Sequence, residues 1–350
     1  MQNNNLNHRL LFLLFFFLFL SCGAQAKKTL NNSSNGDEPG WIDNPHKFYP
    51  ESQYIVGVGS GDTREAAQNN AIASISKVFQ SKIKVDQTVI ENYFEQEKNG
   101  VISTSGNSAL MNRSTVGSNQ ELKNIKIDQS YFSSKEGLYY VLAYLDRKET
   151  AAIYRKEISE NDLKIEEYHN LYLESDKKLT KYAYLLKAKT VADVNEILNQ
   201  QYGIIRGDGN RVPALISPAQ LNKELRELTQ QITIKLNAAE GTPPAVTDYV
   251  KEAVGKFGFK IVNGSSDFLF NYGLDMTKTD IGRANTVGFN WHFTLTVVDN
   301  INNYSLDTFN MKNRTIAISE QEAKAKIMHK VKNGLTTKFY KQFMNYMYKF

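Results

Sequence analysis

Seven apolar residues recur at every fourth position near the C-terminal end of the chain: Ala323, Ile327, Val331, Leu335, Phe339, Phe343 and Met347. A strand would return this set to one face, but it would put Ala325, His329, Asn333, Thr337, Lys341 and Asn345 beside them. A helix separates the two sets. At 100° per residue, four residues advance by roughly 400°, so the apolar ridge drifts by about 40° at each step round a helix of nearly thirty residues. Such a ridge needs a broad apolar surface to lie on.

The sequence before it supplies one. Gln231–Leu236 alternates as a strand, Val246–Phe257 carries Val246, Val250, Ala253, Val254 and Phe257 on one helical face, and strands are predicted over Phe259–Val262, Phe268–Met276, Thr286–Val298 and Tyr304–Ile318. Strand, helix, four strands and a long helix make an α/β sandwich over residues 229–350. Beyond Phe339 the ridge broadens, because Tyr340, Phe343, Met344, Tyr346, Met347, Tyr348 and Phe350 surround the helix. Two readings follow. Either the end is a partner-docking surface formed by Tyr346, Met347, Tyr348 and Phe350, or it is tucked against the rest of the fold.

Residues 151–228 read as a helical connector. Ile158, Tyr168, Leu171, Leu179, Tyr182 and Leu186 return at helical spacing among many charges, and Tyr168, Tyr172, Tyr182 and Tyr184 are expected to pack a bundle. Thr190 reads as the cap of a further helix through Gln200, and Ser217-Pro218 as the cap and first residue of another.

Residues 41–150 form a second α+β unit. Tyr54–Ser60 is a strand, Glu65–Phe79 a helix with Ala67, Ala71 and Ile75 on one stripe, and Ser81–Ile90, Ile125–Phe132 and Leu138–Leu145 are further strands. The last two are joined by a hairpin ending in Gly137. Gln96–Gln120 is a long polar loop. Gly57, Gly59 and Gly61 resemble a phosphate cradle only superficially, since Asp62 and Glu65 would repel an anion and no Lys-Ser or Lys-Thr opens the helix. A tight strand-to-helix turn explains them instead. The fold expected overall is α+β: two sandwiches, each with helix packed on mainly antiparallel sheet, joined by the helical connector.

At the other end, Leu10–Leu20 is an uninterrupted run of eleven apolar residues, followed by Ser21-Cys22-Gly23. Eleven residues rise only about 16 Å as a helix, half of a bilayer core, so residues 1–21 read as a signal peptide. Cys22 is the sole cysteine, and Phe19-Leu20-Ser21-Cys22 resembles a lipobox, in which that cysteine becomes the lipidated N-terminus. The alternative is an ordinary leader cut after Ala24 or Ala26. Residues 22–40, centred on Asn31–Asp37, form a flexible tether.

Trp41-Ile42-Asp43-Asn44-Pro45, Tyr54–Gly59, Glu65-Ala66-Ala67 with Ala71, and Tyr139–Asp146 with Ala151 and Tyr154 together resemble the lipoprotein-20-like domain family of bacterial envelope proteins, over residues of about 40–155. That resemblance implies lipid anchoring at the outer membrane and supplies no catalytic residues. Gly23 after the cysteine is consistent, by analogy, with outer-membrane sorting facing the periplasm.

Chemical motifs are sparse. With one cysteine and five histidines there is no material for a disulfide framework or zinc site. Glu166-Glu167 and Asp299 have no predicted facing partner, and His292, between Trp291 and Phe293, reads as a core or sheet-surface residue. Lys324, Lys326, Lys330, Lys332, Lys338 and Lys341 belong to the solvated face of the last helix, and neither they nor a formal net charge of +5 on 350 residues points to nucleic acid. The expectation is a non-enzymatic, lipid-anchored outer-membrane lipoprotein, without cofactor or metal, that binds or scaffolds an envelope protein partner. A surface adhesin and a hydrolase with an inter-domain site are the alternatives.

Overall fold

The computed structural model describes residues 38–83, 89–90, 93, 122–283 and 285–349. The leader, Cys22, most of the tether, the Gln96–Gln120 loop and Phe350 lie outside the described residues.

The first sheet is antiparallel with order β1-β3-β2, from β1 (Tyr54–Gly61), β2 (Lys126–Ser133) and β3 (Leu138–Asp146). Helix α1 (Arg64–Gln80) packs on one face, its first turn capped by the Thr63 hydroxyl, which accepts from the Ala66 amide at 3.1 Å. Here the glycines find their reason. A Cβ on Gly59 would lie 2.1 Å from the Ala71 nitrogen and 2.4 Å from the Ala67 oxygen, and one on Gly57 would lie 2.3 Å from the Ala71 oxygen. None of Gly57, Gly59 and Gly61 has a positive φ, so the close approach of strand to helix, and not turn geometry, demands them. The β2–β3 turn does need a left-handed residue, which Gly137 supplies at φ 71°.

The strand expected over Ser81–Ile90 is not present where the chain is described. Ser81 and Lys82 form a turn, and Val89, Ile90 and Tyr93 are helical. A short apolar alternation cannot distinguish a strand from a buried helix segment, and Ile83 and Tyr93 are both buried.

Next, α2 (Arg147–Glu174) and α3 (Lys178–Arg206) form a hairpin with a three-residue loop, and α4 (Pro218–Thr229) packs on α3. Ser217 caps α4 through the Gln220 amide, as its spacing predicts. Arg147 donates at 2.8 Å to the Ile204 and Ile205 carbonyls, closing the C-terminal end of α3 with a cation. Thr190 does not start a helix. It lies inside α3, where its hydroxyl is 3.3 Å from the Tyr348 hydroxyl, and no proline or glycine nearby interrupts the helix. Tyr182 is buried against Phe259, while Tyr168 and Tyr172 pack half-buried on the same core.

The second sheet has order β5-β4-β6-β7-β8, from β4 (Thr233–Ala238), β5 (Lys260–Ile261), β6 (Phe268–Thr279), β7 (Val287–Asp299) and β8 (Tyr304–Ala317). β4 runs parallel to β5 and β6, and the other pairs are antiparallel. Helices α5 (Pro244–Gly255), α6 (Glu320–Asn333) and α7 (Tyr340–Met347) complete this half, with a six-residue π-helical segment, Gly334–Phe339, joining the last two. That segment answers the drift in the ridge. Wider i→i+5 turns bring a four-residue repeat back towards one face, and all seven ridge residues are no more than 1% exposed. Phe257, Phe270, Phe309, Phe339 and Phe343 meet there with ring centroids 4.8–6.2 Å apart. The fold is therefore α+β, with two sheets, each carrying helix on one face. One continuous core runs from Ile55 through the hairpin to Tyr348.

Candidate functional site: a cleft at the start of the second hairpin helix

A cleft of about 320 Å³ opens where the α2–α3 loop meets the start of β6 and the β7–β8 turn. Leu179, Phe268, Ile301, Tyr304 and Leu306 give it apolar walls, and Asp176, Lys177, Lys178, Asp267 and Asp299 give it charge.

Of the three carboxylates, Asp176 is exposed and the two buried ones are already engaged. Asp267 accepts two 2.8 Å bonds from the Lys178 ammonium, and its Oδ2 accepts from the Thr233 amide and hydroxyl, each at 2.8 Å. Burial pushes its carboxyl upward, but Lys178 and Thr233 override that and hold it below the usual carboxylate range. Asp299 fastens the turn. Its Oδ1 accepts from the Ile301 and Asn302 amides and its Oδ2 from the Asn302 side chain, all at 2.9 Å. Burial opposes these bonds there too, and they and Lys177 leave its carboxyl lowered. Neither acid is poised to exchange a proton near neutrality.

This turn is held by several hydrogen bonds, yet its apex is apolar. Asn300 donates from its backbone to the Asp267 carbonyl and from its side chain to the Ser266 carbonyl, while Ile301 is 72% exposed. An apolar residue held out on a preorganised turn beside a cleft costs little entropy to dock. Sequence reasoning misses this site, since its residues come from three distant segments. The one local signal is an isoleucine set in the run Asp299-Asn300-Ile301-Asn302-Asn303.

The C-terminal residues divide. Met347 is fully buried and Tyr348 is 8% exposed, both in the core, so the docking role expected of them gives way to packing against α3. Tyr346 is half-buried, and its hydroxyl pKa is raised by burial and by Tyr304, Asp307 and Asp299, the first and last of which line the cleft. Phe350 lies outside the described residues.

Elsewhere, His292 is exposed on the outer face of the second sheet, and Glu166 and Glu167 are exposed on α2. Among the described residues no group of three or more His, Cys, Asp or Glu side chains is arranged to hold a metal ion. No helix among them is long and apolar enough to cross a membrane. Three of the C-terminal lysines are paired: Lys324 with Glu320, Lys326 with Glu322 and Lys332 with Glu252.

Lowering the pH tests the Lys178–Asp267 link. A carboxyl held low in the folded state contributes stability above its unfolded pKa, near 4, and that stability is lost as pH falls through the folded value. Asp267→Asn is expected to cost about 1–2 kcal/mol at pH 7, with the half-exposed lysine discounting the full charge-assisted value, and much less at pH 2. Urea titrations at the two pH values measure the difference.

One segment of the chain matches a known family. Residues 39–146 match the LPP20 lipoprotein family. This segment contains α1 and the whole first sheet and stops where α2 begins, slightly short of the expected limit near residue 155. The match takes in under a third of the 350 residues, so it likens this segment to lipoproteins of that family. No curated protein matches the sequence significantly.

Among solved structures, a secreted protein of Helicobacter pylori is similar at 11% identity and TM-score 0.40, over 82% of this chain and 98% of that one. A minor lipoprotein of Acinetobacter baumannii aligns at 13% identity and TM-score 0.26, covering 32% of this chain and 92% of its own. The rare lipoprotein B of Shewanella oneidensis aligns at 12% identity and TM-score 0.21, over 33% and 91%. Likeness at these TM-scores carries no functional argument.

Proposed function

We propose that this protein is a non-enzymatic binding or scaffolding lipoprotein, held by Cys22 in the outer membrane and facing the periplasm, where it serves envelope assembly or maintenance. The carrying observation is the LPP20 match, which begins at residue 39, just beyond a leader-like run that ends at the only cysteine. A binding role is supported by the cleft, whose two buried carboxylates, Asp267 and Asp299, are committed to structure while Ile301 and Tyr304 stand exposed beside it.

Protease treatment of intact and permeabilised cells tests the orientation. Digestion only after permeabilisation is the expected result, and digestion of intact cells would favour the adhesin reading. An Ile301→Asp, Tyr304→Ser double variant tests the cleft. It is expected to lose in-cell crosslinks to an envelope partner while its melting temperature changes by less than about 2 °C, since exposed positions contribute little to stability.

A further inference from the structure

We propose that the outer face of the five-stranded sheet binds an acidic polysaccharide, a hydroxyl-rich polymer carrying carboxylates.

Register and side-chain alternation build the face. On the side of the sheet away from the phenylalanine cluster, Asn237, Asn271, Thr296 and Thr308 stand opposite one another across β4, β6, β7 and β8. Asn237 donates to Asn271 at 2.8 Å and Thr308 to Thr296 at 3.3 Å, so the row consists of two hydrogen-bonded pairs and spans about 14 Å. Beside it, in parallel rows, lie Gly273, Thr294 and Asn310, then Asp275, His292 and Lys312, then Thr277, Asn290 and Arg314. Asn290, His292, Thr308, Asn310, Lys312 and Arg314 are exposed, and Thr294 and Thr296 half-buried.

Charge chooses the occupant. Lys235 at one corner and Lys312 and Arg314 at the other have no ion-pair partner among the described residues, whereas Lys324, Lys326 and Lys332 on the opposite side are paired with carboxylates. Along these rows two cations, Lys312 and Arg314, face the single carboxylate Asp275, and Lys235 stands in the next row, opposite Leu269, so the balance favours an anion. Between the cations lie amides and hydroxyls, each able to donate and accept, which is the pairing that sugar hydroxyls require. The rows carry no Phe, Tyr or Trp on which a nucleobase could stack. A polyanion with hydroxyls between its charges matches both features; a polyanion without them matches only the corners.

This goes beyond the binding reading at the cleft, since the rows share no residue with its lining, and it does not depend on the lipid at Cys22, so either can fail alone. The test is affinity electrophoresis of the detergent-solubilised full chain in gels containing polygalacturonate, neutral dextran or poly-glutamate. Retardation by polygalacturonate at least tenfold stronger than by dextran and poly-glutamate is expected. Lys312→Glu with Arg314→Glu should weaken it at least tenfold, and Thr296→Val with Thr308→Val at least threefold, with melting temperatures unchanged. Equal retardation by poly-glutamate would reduce the face to a general polyanion site and overturn the assignment. So would no preference over dextran, or wild-type binding by both folded variants.

Discussion

Replacing Gly59 by alanine is expected to cost about 3 kcal/mol or more of stability, although it adds one methyl group. The new carbon would lie 2.1 Å from the Ala71 nitrogen and 2.4 Å from the Ala67 oxygen, and these are helix backbone atoms that no rotamer change can move. Either α1 lifts from β1, opening the contacts of Ala67, Ala71 and Ile75 with the sheet, or the strand bends. Gly255 provides the control. It lies at the end of α5, where an added Cβ would meet nothing within 4 Å, so Gly255→Ala is expected to be neutral or to stabilise by about 0.5–1 kcal/mol. Chemical denaturation of both variants measures the contrast. If Gly59→Ala unfolds at the wild-type midpoint, the close strand–helix approach is wrong.

The same pair of elements marks how far sequence could be read. Ala67, Ala71 and the glycines opposite them all imply a close approach, but only the packed structure separates that reason from a turn requirement. Periodic elements were legible where they were long: the ridge Ala323–Met347 and the alternation in Phe268–Met276 appear as a helical run and a strand because packing selects the same period that the sequence displays. Local signals failed where a distant residue decides. Thr190 has the chemistry of a cap, yet Tyr348, over 150 positions away, sits at its hydroxyl inside an unbroken helix. The cleft was hidden for the same reason, since Lys178, Asp267 and Asp299 meet only after the hairpin docks on the sheet.

The second large effect is at the C-terminal end. Met347→Ala together with Tyr348→Ala is expected to cost about 4–7 kcal/mol, from about 2–5 for a buried methionine and about 2 or more for a buried tyrosine that is also within reach of the Thr190 hydroxyl. A docking surface makes the opposite forecast, with stability kept and partner recovery lost. Tyr346→Ala separates the two, because Tyr346 is half-buried near the cleft and its loss should cost about 1 kcal/mol or less. Melting curves that leave the Met347/Tyr348 double variant at the wild-type midpoint would return that end to the surface.

Anchoring by lipid is the claim on which the envelope reading stands, and mass spectrometry of the mature N-terminus, combined with membrane fractionation of Cys22→Ala, tests it most directly. The expected result is an N-terminal Cys22 carrying acyl chains in the wild type, all of it in the outer-membrane fraction at roughly 0.8 kcal/mol per buried CH₂. Cys22→Ala should then leave the membrane or accumulate as unprocessed precursor. An unmodified mature N-terminus at Ala24 or beyond, with Cys22→Ala distributed like the wild type, would contradict it.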